Sequence, residues 1–489
     1  MSDFFFIMPE ILLALTVFLI ILAEITHYHE KNRLIVMISL LGLAGAFLQT
    51  LLSYRTEAAL VFGGTLSIDA FSLFFKLFFI LLAMLTIVAL SHTKSIKSST
   101  KIDCCILILS ATLAMCFVAS ASHLILIFLS VLFLNLMAHF LLAVGKRSKL
   151  STQVSIKKLI FSAIEIGLLL YAFAILFLAT HAFSIYEIHE VIVRSTISSE
   201  VLLIAFMFSF LSFCIQIGAF PMQALLPDLL EGCLTPVSSF LSVGFRGAGF
   251  ALMIRFLIVV FAQSSELDRQ WKIVHGVDWT QIVALVSGFT MFLGAWMAVC
   301  QKNVKQMLGY LVVSETGFLL MGFLVLDELG IAAILYNLLI DFLSLIGIFY
   351  LITFLLEELS SDRLDAFRGM FKRAVPECVC LVIFLLCFVG SPPMPGFIGK
   401  FTLMAVAWKH QKPELVVIAI FSMVVGMIAV TRLVYQLMGG FSEAHLLPVR
   451  TVFSKKPFFM SLLVPMILVG VFADFVFTWI SQSISFTFW

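Results

Sequence analysis

Seven polar side chains of this chain fall deep inside apolar runs: Asn135, Glu165, Gln216, Arg246, Glu315, Asp341 and Lys400. An ionisable group at membrane depth costs ~3 kcal/mol on insertion scales and persists where it meets a partner or a water-filled cavity. These residues occupy the fifth, sixth, seventh, eighth, tenth, eleventh and twelfth apolar runs, one in each. Helices packed in that order would line them up as a polar axis parallel to the membrane plane, which hydrates more easily than isolated charges and passes protons by short hops. The bland alternative is a set of structural ion pairs.

Lys400 is the member best suited to exchange a proton. It sits among Phe397, Ile398, Phe401 and Leu403, and an ammonium held away from water gives up its proton more readily than one in solution. The competing reading is a lysine that snorkels to the interface. Arg246 has a different use, because a guanidinium stays protonated in essentially any protein environment. It can fix the charge state of a nearby carboxylate, and Glu165, Asp228 and Glu231 are its candidate partners. Burial makes Glu165 and Glu315 candidate relays, while Asp341 reads equally as a relay or as a satisfied pair partner.

Two hydrophobic stretches are interrupted around these groups. Phe220 to Phe250 contains Pro221, Pro227, Pro236 and Arg246; Val389 to Met404 contains Gly390, Pro392, Pro393, Pro395, Gly396, Gly399 and Lys400. A lipid-facing helix does not break its hydrogen-bond ladder, because bare backbone groups in hydrocarbon are costly, so broken segments face protein or water. Two of them in corresponding places suggest repeated transport halves and an ion path.

The elements that must hold these groups are transmembrane helices. Of 489 residues, 62% are hydrophobic and 12% charged, with a mean hydropathy of +1.15, against ~25% charged residues in soluble domains. Apolar runs long enough to cross a ~30 Å hydrocarbon core recur from end to end and number about fourteen, which makes the chain an all-α polytopic membrane protein. One alternating set of connecting segments holds about nineteen Lys and Arg, among them Lys157, Lys158, Lys302, Lys305, Arg363, Arg450 and Lys455. The other set holds six: Arg55, Arg194, Arg269, Lys272, Lys409 and Lys412. Short cytoplasmic loops are the basic ones, so both termini are expected on the non-cytoplasmic side. Five further cations, Lys76, Arg246, Arg255, Lys400 and Arg432, lie within or at the ends of spans and need an account of their own. The run Phe4 to Glu24 has no basic segment before it and is long enough to span, so it reads as the first helix and not as a cleaved signal, with Glu10 solvated near its end.

Several function classes are excluded. Basic residues scattered over loops give no nucleic-acid footprint. The nine cysteines show no zinc, iron–sulfur or haem spacing, and no glycine-rich loop follows a strand, so neither NADH nor ATP is expected to bind this chain.

The segment from Pro221 through Pro227-Asp228, Glu231-Gly232 and Thr235-Pro236-Val237 resembles the "PFHxWxPDVYEGAPTPV" segment of the antiporter-like membrane subunits of respiratory complex I, and within them the subunit N branch. Lys302 to Tyr310 resembles "DIKRMLAYSS", and Gly390 to Phe401 resembles "AGIPPTAGFIGKF". The resemblance covers most of the chain. It implies two inverted five-helix repeats (helices four to eight, residues 104–262, and nine to thirteen, 263–440), preceded by helices one to three (1–103) and followed by helix fourteen (441–489), with helices seven and twelve discontinuous. It also implies a proton-translocating machine whose NADH, FMN, iron–sulfur clusters and quinone are held by partner subunits, with subunits M, L, K and J as membrane neighbours. Family members carry a glutamate in the fifth span, lysines in the seventh and eighth, a histidine in the tenth and a lysine in the twelfth; here these positions hold Leu132, Gln216, Arg246, Glu315 and Lys400. Only Lys400 matches, so the first-half proton path is expected to be altered or lost, with Glu165 as a relocated carboxylate facing Arg246. A cation/proton antiporter subunit, a membrane-bound hydrogenase subunit and a non-pumping spacer are the rival readings.

Overall fold

The computed structural model describes residues 3–25, 31–54, 58–94, 96–145, 149–194, 197–265, 270–273, 279–324, 327–359, 361–439 and 456–484. The loop cations Arg55, Lys146, Arg147, Arg269, Arg450 and Lys455, and the expected boundary at 441, lie outside these residues. Among the described residues, twelve helices are long and apolar enough to cross a membrane. A bent pair, Phe458–Val471 with Ala473–Ser483, supplies one more crossing. Val375–Val389 is a shorter apolar helix, followed after a break by Pro395–Lys409; the two together are called span twelve below, and the Phe458–Ser483 pair span fourteen.

Packing sorts these helices into a periphery and a core. The first two, Met8–Ile25 and Asn32–Ser53, are only 28% buried over their apolar windows, and present Leu15, Phe18, Met37 and Leu41 outward. Thr235–Phe261 and Val304–Leu324 are buried along their whole windows, and Glu328–Glu358 along 94%. Helices that are hydrophobic all round belong in the interior, and these three, spans eight, ten and eleven, are the ones that carry Arg246, Glu315 and Asp341. The scaffold therefore keeps these three charges inside, each 2% exposed.

Local sequence explains where the spans start and stop. Asp69 caps span three, Ala70–His92, its side chain accepting from the Ser72 amide at 2.8 Å while Ser72 Oγ accepts from the Asp69 amide at 3.0 Å. That reciprocal box satisfies two of the orphan donors of a helix start. Asn303 caps span ten by accepting from the Lys305 amide at 2.8 Å. Two short antiparallel hairpins, Ala59–Val61 with Leu66–Ile68 and Ala262–Ser265 with Gln270–Ile273, decorate the all-α architecture.

The first interruption is narrower than the sequence suggests. Span seven is Ser199–Ile217 followed by Leu225–Gly232, and the break occupies the residues between them, including Pro221. Pro227 lies in the first turn of the second piece and Pro236 in the first turn of span eight, positions that tolerate proline because those amides have no intrahelical partner. Span eight is unbroken in direction but contains a π-helical segment, Leu241–Phe245, immediately before Arg246.

Candidate proton-transfer axis

Span twelve builds the site around Lys400. Its first piece ends at Gly390, whose φ of +82° only glycine adopts without strain, and Pro395 opens the second piece, Pro395–Lys409. In an unbroken helix the carbonyls of Phe388 and Val389 would accept from the amides four residues on. Those residues are Pro392 and Pro393, which have no N–H. The two carbonyls instead accept from Lys400 Nζ, at 3.1 and 2.9 Å. Gly396 packs against the Cys387 carbonyl, where a Cβ has no room. The prolines thus create the acceptors and the glycines let the chain fold back onto them. Lys400 is 3% exposed, sits 2.5 Å from Glu315 Oε2 and lies 4.8 Å from the centre of the Phe318 ring. Glu315 Oε1 is buried with no hydrogen-bond partner in the chain.

The middle of the axis corrects the expected pairing of Arg246. Its carboxylate is Asp341, with Nη2 to Oδ2 at 2.5 Å and both side chains 2% exposed; Nη1 also donates to the Val312 carbonyl at 3.3 Å. None of Glu165, Asp228 and Glu231 is the partner. Asp228 pairs with Lys157, and Glu231 accepts from Asn303 at 2.9 Å and Gln306 at 2.6 Å. The π segment widens the turn before Arg246 by one residue, the kind of local irregularity that re-aims a functional side chain. Asp341 also lies within Coulomb range of Glu315 and Lys400, so the middle pair and the second-half pair are neighbours.

The first half contains a charge that loop counting concealed. Lys158 is 5% exposed, because span six begins at Lys149 and carries it ~14 Å along the helix at 1.5 Å per residue. Its Nζ donates to Asn135 Oδ1 at 2.8 Å, and Asn135 Nδ2 donates to Glu165 Oε1 at 3.1 Å. Lys158 and Glu165 approach directly at 3.8 Å. Lys157, one residue earlier and 100° round the helix, faces Asp228 near the surface instead. A lysine and a glutamate seven residues apart share a helix face, and that spacing was the available signal. A cavity of about 30 Å³ lined by Lys158, Gln216 and Arg246 separates this cluster from the middle pair. It is large enough for about one water, and Gln216 Oε1 and Arg246 Nε are both buried without a hydrogen-bond partner in the chain.

The order along the axis is Lys158–Asn135–Glu165, Gln216, Arg246–Asp341, Glu315–Lys400. Three cations face three carboxylates, so the row is neutral as a whole, and protonating any one carboxylate unbalances its neighbours. Such a chain can pass an added proton from pair to pair, with the excess charge held among its own counter-ions.

Comparison with known proteins gives the family and the fold. The profile of the NADH:quinone oxidoreductase/Mrp antiporter transmembrane family matches residues 121–426. The chain belongs to this family. NADH-quinone oxidoreductase subunit N of Chlorobium chlorochromatii is 32% identical over 397 residues, 81% of this chain and 77% of that protein. Among solved structures, a chain of the archaeal membrane-bound sulfane sulfur reductase superposes with a TM-score of 0.87 at 18% identity, covering 99% of this chain and 97% of that one. A chain of respiratory complex I from Thermus thermophilus superposes at 0.76 with 20% identity, covering 96% and 98%. These two likenesses are likenesses of fold. The matched region of the antiporter transmembrane family runs from just before span five, Leu124–Gly145, into span thirteen, Pro413–Met438, and includes every member of the axis.

The other buried cations find separate partners. Lys76 pairs with Glu10 at 2.7 Å, both essentially inaccessible, so Glu10 is a buried counter-ion and not the solvated end residue expected. Arg255 grips Asp69 with two hydrogen bonds of 2.7 and 3.0 Å and lies 5.2 Å above the Phe71 ring, which ties span eight to the cap of span three. Lys305, counted as a loop cation, is 1% exposed and 3.5 Å from Asp362. Among the described residues no three His, Cys, Asp or Glu side chains are placed to hold a metal.

Proposed function

We propose that the chain is the subunit N component of the membrane arm of a proton-translocating NADH:quinone oxidoreductase, moving protons along the axis from Lys158 and Glu165 through Gln216, Arg246 and Asp341 to Glu315 and Lys400. The observation that carries this reading is the buried contact of Lys400 with Glu315 on two carbonyls freed by the helix break. A proton reaching Glu315 neutralises the carboxylate and removes the main counter-charge of the Lys400 ammonium, which then releases its own proton onward. The two carbonyl dipoles keep the amine in place when its charge is gone. Arg246 holds Asp341 as its carboxylate, so the middle pair acts as a fixed electrostatic hinge between the halves.

In the first half, Lys158 and Glu165 on one helix, bridged by Asn135, take the role that Leu132 and Gln216 have lost. The path is altered, not abandoned. The repeats occupy 104–262 and 263–440, between helices one to three (1–103) and helix fourteen (441–489). NADH, FMN, iron–sulfur clusters and quinone belong to partner subunits, and antiporter-like subunits M and L with small subunits K and J are the membrane neighbours. The chain resides in a bacterial inner membrane with both termini on the non-cytoplasmic side. A cation/proton antiporter or membrane-bound hydrogenase subunit is the second reading, supported by the fold likeness alone. Affinity purification of the tagged chain separates them: flavin and iron–sulfur subunits in the isolate support the oxidoreductase, whereas a complex of small membrane subunits that exchanges sodium for protons refutes it.

A further inference from the structure

Of the five cations that the sequence places within or at the ends of spans, four have a carboxylate of this chain: Lys76 with Glu10, Arg246 with Asp341, Arg255 with Asp69, and Lys400 with Glu315. Arg432 is the exception. It lies in span thirteen, Pro413–Met438, ~9 Å inside the end of that helix at 1.5 Å per residue. Its guanidinium donates to the Val299 carbonyl, and no acidic side chain is paired with it among the described residues. A half-buried guanidinium near the end of a span, with no carboxylate beside it, calls for an anion.

The surroundings are built to hold one. Arg432 lines a cavity of about 490 Å³ together with Lys302, Arg363, Asp365, Ile428 and Tyr435. Three cations stand against one carboxylate, and Asp365 is committed to Arg363 at 3.6 Å. The walls are tied by backbone hydrogen bonds between the loops: Leu364 donates to the Lys302 carbonyl at 2.9 Å, Val304 to the Asp362 carbonyl at 3.0 Å, and Gly369 to the Gln436 carbonyl at 3.1 Å. On the membrane side, Ile428 and Tyr435 are 48% and 76% exposed, an apolar flank beside a cationic recess.

From this arrangement we infer that the recess binds one anionic phospholipid, its phosphate between Arg432, Lys302 and Arg363 and an acyl chain along Ile428 and Tyr435. A soluble phosphate would gain nothing from that apolar flank, and a zwitterionic lipid would bring its own cation into a recess that already has an excess of them. A basic recess at a helix end beside the basic loops is the place where anionic headgroups are attracted. The recess does not depend on which side is cytoplasmic; only the leaflet follows from the orientation proposed above. The lipid supplies the counter-ion that Arg432 lacks and fastens span thirteen to the loops after span nine, Thr280–Cys300, and span eleven, Glu328–Glu358.

The test uses the assembled complex in vesicles of phosphatidylethanolamine carrying a photoactivatable phosphatidylglycerol, with cross-links mapped by peptide mass spectrometry. Cross-links on the segment 428–436 are expected, displaced by unlabelled phosphatidylglycerol but not by glycerophosphoglycerol. Because Arg432→Gln also removes the bond to Val299, the exposed pair Lys302→Gln and Arg363→Gln provides the second variant. Each cation removed lowers cross-linking about fivefold, the equivalent of ~1 kcal/mol per cation near an anionic surface. Undiminished cross-linking in the double variant, equal labelling by a photoactivatable phosphatidylethanolamine, or a disulfide from Tyr435→Cys to a neighbouring subunit across the recess overturns the inference.

Discussion

Replacing Lys400 by arginine separates charge from proton exchange. The guanidinium still faces Glu315 and the carbonyls of Phe388 and Val389, but it does not release a proton in a protein. Methionine at this position is a poorer probe, since deleting one member of a buried pair costs ~3–5 kcal/mol, a large share of a total stability of ~5–15 kcal/mol. Arginine avoids most of that loss and removes only the exchanging group. A proton leaving Glu315 then keeps its cationic neighbour but has no amine to pass through, although the pair sits 2.5 Å apart with lysine in place. Losing a positioned proton-exchanging side chain slows transfer by ~10² to ~10⁴-fold, the equivalent of ~3 to ~6 kcal/mol at tenfold per ~1.4 kcal/mol. The assay is dye quenching in proteoliposomes measured alongside NADH oxidation in the same sample. Lys400→Arg should assemble and oxidise NADH yet move fewer protons per NADH. Wild-type proton yield per NADH from that variant refutes the role given to Lys400.

Three other outcomes follow from the same geometry. Asp341→Asn leaves Arg246 buried without its carboxylate and should destabilise the chain by ~3–5 kcal/mol in thermal unfolding, while Arg246→Met with Asp341→Leu recovers most of that loss; equal damage from the single and double changes contradicts the pairing. Lys158→Gln with Glu165→Gln should lower protons per NADH with electron transfer intact, and an unchanged yield would make the first half a spacer. Cys300 is exposed beside the basic loop after span nine, whereas all the other cysteines but Cys380 are buried, so an impermeant maleimide should label it in inverted vesicles and not in intact cells; the reverse pattern overturns the proposed orientation.

What was legible in the sequence depended on the kind of signal. Hydrophobic runs are long and unambiguous, so the spans and both broken segments could be read from composition and from proline and glycine. Lys400 could be singled out because its broken approach lies in the same stretch of chain. Partner choice could not be read in this way. Spans eight, ten and eleven are apolar on every face, and nothing in such a pattern fixes the rotation that brings Arg246 to Asp341 instead of Glu165. Lys158 and Lys305 were hidden by a different effect: each belongs to a basic cluster that obeys the loop rule, while its helix begins early enough to carry that one side chain inside. Glu10 was misread for the same reason, since its distance from the chain start says nothing about Lys76 on span three.

Ordered water in the assembled complex tests the central claim most directly. A cryo-electron microscopy map fine enough to show single waters should place one in the cavity of about 30 Å³ between Lys158, Gln216 and Arg246, hydrogen-bonded to Gln216 Oε1 or Arg246 Nε, with further density reaching Glu315 Oε1. Dry apolar packing in that cavity and around Glu315 would contradict a conducting axis and leave only a set of isolated ion pairs.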